Sequence, residues 1–110
     1  MKKVYIAGRV SGDSDYRQKF GRAAALLTEW GYSVLNPAVL PAALSDAEAM
    51  RICLAMIDAA DIVALLPDWK VSKGAQLEYQ YCCYAGKPAV LLVELANYTS
   101  ACKKIPWEAD

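Results

Sequence analysis

Histidine is missing altogether from the 110-residue chain. Without an imidazole, histidine-based catalytic triads and histidine-ligated metal sites are excluded outright. The four cysteines, Cys53, Cys82, Cys83 and Cys102, lack the paired C-x-x-C spacing of a zinc or dithiol redox site. They read as buried reduced thiols, which behave as small hydrophobes, and a disulfide-linked dimer through Cys82 or Cys83 is not expected in a reducing cytoplasm. Net charge is absent too: 12 basic residues balance 12 acidic ones. There is thus no electrostatic footprint for duplex nucleic acid or for an anionic membrane surface. No apolar run approaches the roughly 20 residues of a membrane span. The basic-then-apolar start, Met1-Lys-Lys-Val-Tyr-Ile-Ala-Gly8, is shorter in its apolar part than the roughly 7 to 15 residue core of a signal peptide. These absences leave one soluble, cytoplasmic domain over residues 1–110, large enough for a single core. Its expected partner is a small molecule, and no metal or cofactor is called for.

What is present is an alternation of strand and helix patterns. Residues 2–7 read as a strand, with Tyr5 and Ala7 on one face and Val4 and Ile6 on the other, ending at Gly8. From Asp15 to Trp30, Tyr16, Phe20, Ala23, Ala24, Leu27 and Trp30 recur at steps of three and four, the signature of an amphipathic helix that Gly31 ends. Tyr32 to Leu35 is a second strand, stopped by Asn36-Pro37. Ser45 is the expected N-cap of a helix reaching about Ala60, with Met50, Cys53, Leu54 and Ile57 on its inner stripe. Asp61 to Pro67 is the third strand. Ser72 caps a third helix running to about Ala85 and closed by Gly86, and Pro88 to Val93 is a fourth strand. Glu94 to Asp110 shows no clear period. This order predicts an α/β fold: a Rossmann-like (flavodoxin-like) three-layer sandwich around a parallel sheet of four or five strands. Such sheets bind ligands outside the carboxyl ends of their strands, where strand order reverses. That rule gathers Gly8 to Gly12, Asn36 to Pro41, Asp68 to Ser72 and the stretch after Val93.

Several residues in these loops suit chemistry. Gly8-Arg9-Val10-Ser11-Gly12 matches neither G-x-G-x-x-G nor the P-loop, yet its glycines let backbone approach a ligand, and Arg9 and Ser11 suit an anionic group; a plain structural turn is the competing reading. Glu78 shares a helix stripe with Ala75 and Cys82. Its carboxylate therefore points inward beside the Asp68 to Ser72 turn, and a buried carboxylate with no basic partner in view suggests function. An exposed glutamate paired with Lys73 is the alternative. Trp69 either stacks on a flat ligand or packs its loop onto the sheet edge. Tyr5 points to the core or to the site, and Asp61 suits hydrogen bonding to local amides.

Taken together, Tyr5-Ile-Ala-Gly8, Phe20 with its alanine-rich helix, Val34-Leu-Asn-Pro37, Ala60-Asp-Ile-Val63, Trp69 and Ser72-x-Gly-Ala-x-x-Glu78 resemble the small phage and bacterial proteins grouped as DUF4406. That group is itself similar to the nucleoside 2-deoxyribosyltransferases and the 2'-deoxynucleoside 5'-phosphate N-hydrolases. The likeness runs from residue 3 to about 93. It implies that Glu78 is a nucleophile toward the anomeric carbon of a deoxyribosyl group and that Tyr5 orients it, the logic of retaining glycosidases. Ser72, with Gly74 between it and Glu78, would read the sugar's 5' end. Gly8 would line the sugar pocket, Arg9, Ser11 and Asn36 would join the substrate contacts, and Trp69 would stack on the base. The resemblance also implies a homodimer or higher homo-oligomer, consistent with the apolar Tyr79, Tyr81, Cys82, Cys83 and Tyr84 on more than one side of the third helix.

Two positions depart from the pattern. The enzymes carry an aspartate on the second helix eight residues before the aspartate that opens the third strand, and here that position is Cys53. Asp58 lies nearby in sequence but turns to another face. Arg9 stands where the DUF4406 group usually has proline, and an arginine favours a phosphorylated ligand. The expectation is hydrolysis or transfer at an N-glycosidic bond. The alternative is a non-catalytic nucleotide-binding or nucleotide-sequestering protein with the same pocket.

Overall fold

The computed structural model describes residues 2–97. Its four strands are β1 (Lys3–Ala7), β2 (Ser33–Leu35), β3 (Ile62–Leu65) and β4 (Ala89–Leu91), and its three α-helices are α1 (Tyr16–Glu29), α2 (Asp46–Ala59) and α3 (Lys73–Ala85). All strand pairs are parallel, in the order β2-β1-β3-β4. Tyr5 sits opposite Leu35 on one side and Val63 on the other, which sets the register at the centre of the sheet.

The strands read as near-continuous apolar runs because both faces of the sheet are covered. Val4, Ile6, Ile62 and Ala64 pack with Phe20, Ala23 and Leu27 of α1. Tyr5, Ala7, Val63 and Leu65 point the other way, toward Cys53 and Ile57 of α2 and Cys82 of α3. This is the expected three-layer sandwich, with one helix on one face and two on the other. Local chemistry fixes the helix starts. Ser45 and Glu48 form a reciprocal capping box at α2, Glu48 N donating to Ser45 Oγ at 3.1 Å and Ser45 N to Glu48 Oε1 at 2.9 Å. Ser72 Oγ accepts from Ala75 N at 3.1 Å, and Gly86, at φ +76°, ends α3 in the left-handed conformation that glycine adopts without strain.

Element ends differ from the sequence expectation by at most two residues, the largest differences falling at the ends of β3 and β4. Only Ala89–Leu91 pairs with β3, and the chain then winds into a 3₁₀ segment, Leu92–Asn97. Leu92 and Leu95, three apart, eclipse on such a helix and both enter the α1-side core. The apolar pattern of Leu91-Leu-Val93 serves a strand or a short helix equally well, and burial of Leu95 decides it. Cys102 and the rest of the sequence from residue 98 onward lie outside the described residues. No helix among the described residues is long and apolar enough to cross a membrane.

The strand order places the topological switch point between β1 and β3, and the crevice there opens at their carboxyl ends. Gly8 is buried directly after β1 at this edge. A Cβ on Gly8 would stand 2.7 Å from Leu66 Cδ1 and 3.0 Å from Leu66 Cβ and Cγ, closer than packed carbons tolerate, and Leu66 is itself buried in the core. Replacing Gly8 by alanine should therefore cost about 1–3 kcal/mol, read as a lowered urea midpoint with an unchanged m-value.

Candidate active site

The site is built where β1, α2 and α3 converge on the α2/α3 face. Tyr5 comes from the middle of the central strand, so its backbone is held by neighbours on both sides. Glu78 comes from the second turn of α3, on the inward stripe with Ala75 and Cys82. The Tyr5 hydroxyl donates to Glu78 Oε2 at 2.7 Å, a bond shut away from solvent between residues 73 apart in sequence. Tyr5 is 1% exposed and Glu78 6%. The described ion pairs are those of Lys3 with Asp61 and of Lys19 with Asp13 and Asp68; none reaches Glu78. Glu78 is thus a buried carboxylate for which the described residues show no paired cation.

Electrostatics follow from that isolation. Burial pushes the Glu78 carboxyl up to about 7, opposed by hydrogen bonds from Tyr5 and from the Cys53 thiol. Burial first, then the Glu78 charge, raises Tyr5 far above the ordinary tyrosine range, so its hydroxyl remains a donor. Cys53 is raised as well, chiefly by burial, with the Tyr5 hydrogen bond pulling the other way, and it stays a thiol at neutral pH. The three groups form one cluster in which only Glu78 changes charge near neutrality. This is the environment that makes a carboxylate a nucleophile or a general acid–base.

The remaining residues singled out from sequence occupy several settings. Gly8 lies against Leu66 at the switch point. Arg9 donates its backbone N–H to Asp68 Oδ1 at 3.1 Å and its Nε–H to the Ser11 carbonyl at 3.2 Å, so the guanidinium curls over its own loop above Gly12. Ser11 is exposed. Asn36 caps the 3₁₀ turn Pro37–Val39 by accepting from Ala38 N at 2.9 Å. Trp69 is half-buried, tilted against Tyr79 with ring centroids 4.7 Å apart, and Lys70 lies over it at 5.8 Å. Ser72 accepts the Ala75 amide with one lone pair, which leaves its proton to donate. A methyl group on Gly74 would meet only ordinary contacts, Met50 Cε at 3.6 Å and Ser72 Oγ at 3.9 Å, so helix packing does not demand the glycine.

Tyr5, Glu78 and Cys53 are therefore brought into one cluster, while Gly8, Arg9, Asn36, Trp69 and Ser72 sit in the loops at the carboxyl edge above it. Asp61 stands at the opposite end of β3 and accepts from Lys3 N of β1 at 2.7 Å, an amide 58 residues away rather than the local one expected from sequence, because parallel pairing brings the starts of the two strands together. Asp58 faces outward and accepts from the Tyr81 hydroxyl at 2.7 Å. Sequence reasoning missed Lys19, whose ammonium bonds Arg9 O, Asp13 and Asp68. A lysine one position before Phe20 on an amphipathic helix carries no signal that sets it apart. Among the described residues no group of three or more Cys, Asp or Glu could hold a metal ion.

Fold and site together define a Rossmann-like α/β protein in which Glu78 is the one buried carboxylate among the described residues. The chain belongs to the family described as a domain of unknown function, DUF4406, whose model matches residues 2–91. Among solved structures it is similar to the 2-desoxiribosyltransferase from Leishmania mexicana, with a TM-score of 0.66 and 21% identity over 83% of this chain. The chain spans 63% of that enzyme's chain, and at this identity the likeness establishes the fold. No curated protein matched.

The raised carboxyl has a thermodynamic consequence. Folded Glu78 holds its proton up to about pH 7, whereas the unfolded side chain releases it near 4.5. Its stabilising contribution is full below the unfolded value and is lost as pH rises through 7, by on the order of 3 kcal/mol. Urea denaturation at pH 5 and pH 8 should show this loss in the wild type and not in Glu78→Gln; the difference between the two proteins isolates Glu78 from the other carboxylates.

Proposed function

We propose that the protein acts on the N-glycosidic bond of a deoxynucleoside or deoxynucleoside 5'-monophosphate, with Glu78 as nucleophile. The observation that carries this reading is the buried Tyr5–Glu78 pair at the end of the crevice. Tyr5 holds one carboxylate oxygen, and the other attacks C1' of the sugar. The C1'–N bond breaks with its electron pair leaving on the base, which takes up a proton, and a glycosyl ester of Glu78 remains. Water, or a second base, then attacks C1' and gives up a proton to solvent, while the C1'–Oε bond breaks with its electron pair returning to the Glu78 carboxylate, releasing the free sugar or a new nucleoside. The transition state carries oxocarbenium character, which a carboxylate without a competing cation stabilises well. Ser72 and Gly74 meet the 5' end, Gly8 the sugar, Arg9, Ser11 and Asn36 the polar groups at the crevice mouth, and Trp69 the base. A homodimer or larger assembly belongs to the same reading, and the exposed Leu77 and Tyr84 of α3 are apolar groups it would cover.

A second reading is favoured by Cys53. A thiol beside Glu78 accepts and shares protons poorly compared with a carboxylate, which suits a pocket that binds a nucleotide without turning it over.

Purified protein incubated with each deoxynucleoside and each monophosphate should release free base, measured by liquid chromatography. Glu78→Ala should lower the rate by about a thousandfold or more. If nucleotides raise the melting temperature in both proteins and no base appears, the binding reading stands; neither release nor stabilisation would remove both.

The pH profile gives an independent check, since only ionised Glu78 attacks. The rate should fall about tenfold per pH unit below 7. Tyr5→Phe removes a hydrogen bond that lowers the carboxyl's pKa, so the acid limb should move to higher pH.

A further inference from the structure

Lys19 lies outside the reacting cluster, yet each of its three ammonium protons has a partner, two in the loop after β1 and one in the loop after β3. Lys19 Nζ donates to Arg9 O at 2.8 Å, to Asp13 Oδ2 at 2.5 Å and to Asp68 Oδ2 at 2.5 Å. An ammonium has three donors, so its capacity is used up. Asp68 closes the circuit by accepting the Arg9 N–H on its other oxygen. Both backbone polar groups of Arg9 are consumed in this way, its carbonyl by Lys19 and its amide by Asp68. That fixes the peptide planes on either side of Arg9 and with them the direction in which its side chain leaves the loop. Asp13 anchors the far end, accepting Asp15 N at 2.9 Å while its own N–H donates to Val10 O at 3.2 Å. The carboxylates and the ammonium are mostly shielded, with side-chain exposures of 21–28%, so solvent screens the clamp less than a surface pair.

The two loops joined by this clamp follow β1 and β3, the strands that flank the switch point. We propose that Lys19 is a positioning residue: with Asp68 it locks the Gly8–Gly12 loop to the Asp68–Ser72 turn and so sets the width of the ligand crevice. The effect on ligand rests on the proposed function, whereas the locking of the loop does not.

The experiment uses Lys19→Met, which keeps an unbranched aliphatic stem and removes the charge, and Asp68→Asn, which keeps an acceptor for the Arg9 amide and weakens the ion pair. In the ligand-free proteins, amide hydrogen exchange at Arg9 and in residues 10–13 should speed up at least tenfold in Lys19→Met and less in Asp68→Asn, with Tyr5 and Ile6 still protected. For the deoxynucleotide that the wild type cleaves fastest, or is most stabilised by, KM or Kd should rise at least tenfold in Lys19→Met, while the acid limb near pH 7 stays in place. Unchanged exchange at Arg9 in both variants overturns the clamp. Faster exchange with unchanged KM or Kd overturns its role in holding ligand and leaves a purely structural tie. A wild type that neither binds nor cleaves any nucleotide overturns the proposed function instead, and the exchange result still decides whether the loop is locked.

Discussion

A carboxylate taken out of water needs a donor, and the fold is arranged so that one arrives. Leaving Glu78 buried and unbonded would cost several kcal/mol, and among the described residues no ion pair repays that cost. Tyr5 supplies the donor from the central strand, 73 residues away in the chain. The bond can form only if β1 lies inside the sheet, α3 lies on the face that Tyr5 chooses, and α3 starts in the right phase. Central placement of β1, the Ser72 cap and the closure of α3 at Gly86 all serve that one meeting. Because the hydrogen bonds from Tyr5 and Cys53 offset only part of the desolvation, the carboxyl is left poised near neutrality rather than at the ordinary acidic value.

Around this pair the molecule divides its labour between two layers of the same edge. Below, Tyr5, Glu78 and Cys53 sit on regular elements whose backbones are fully hydrogen-bonded, the kind of support that holds reacting groups within a fraction of an ångström. Above, the loops after β1 and β3 carry the groups proposed to meet a ligand, and the two loops are tied together by polar contacts. Glycine at position 8 lets the two levels approach, since Leu66 fills the space a side chain would need.

Much of this was legible from residue order. Period-two alternation in residues 4–7 and the stripe of Ala75, Glu78 and Cys82 sort side chains between faces, and they point Glu78 inward before any coordinates exist. Alternation could not say which face of β1 would meet which helix. Tyr5 therefore stayed open between core and site until strand order was known. Lys19 was invisible for a related reason: its value lies in partners 10 and 49 residues away, and no local pattern encodes them. The end of β4 was missed because a Leu-rich stretch satisfies a strand or a 3₁₀ turn equally, and only the burial of Leu95 separates the two. Asn36 and Ser72 show the converse difficulty, since residue types that read as ligand contacts also cap the turns they occupy.

Of the three members of the buried cluster, two are costly to exchange and one is not. Tyr5 belongs to the strand on which every other strand's alignment rests, and Glu78 is the charge itself. Cys53 sits on a helix whose start is set independently by the Ser45–Glu48 box. A substitution there changes what stands next to the carboxylate without disturbing sheet or register. Helix α2 is thus the side of the cluster that can be varied on its own, where a fold of this kind could change the neighbour of its buried carboxylate while keeping its shape.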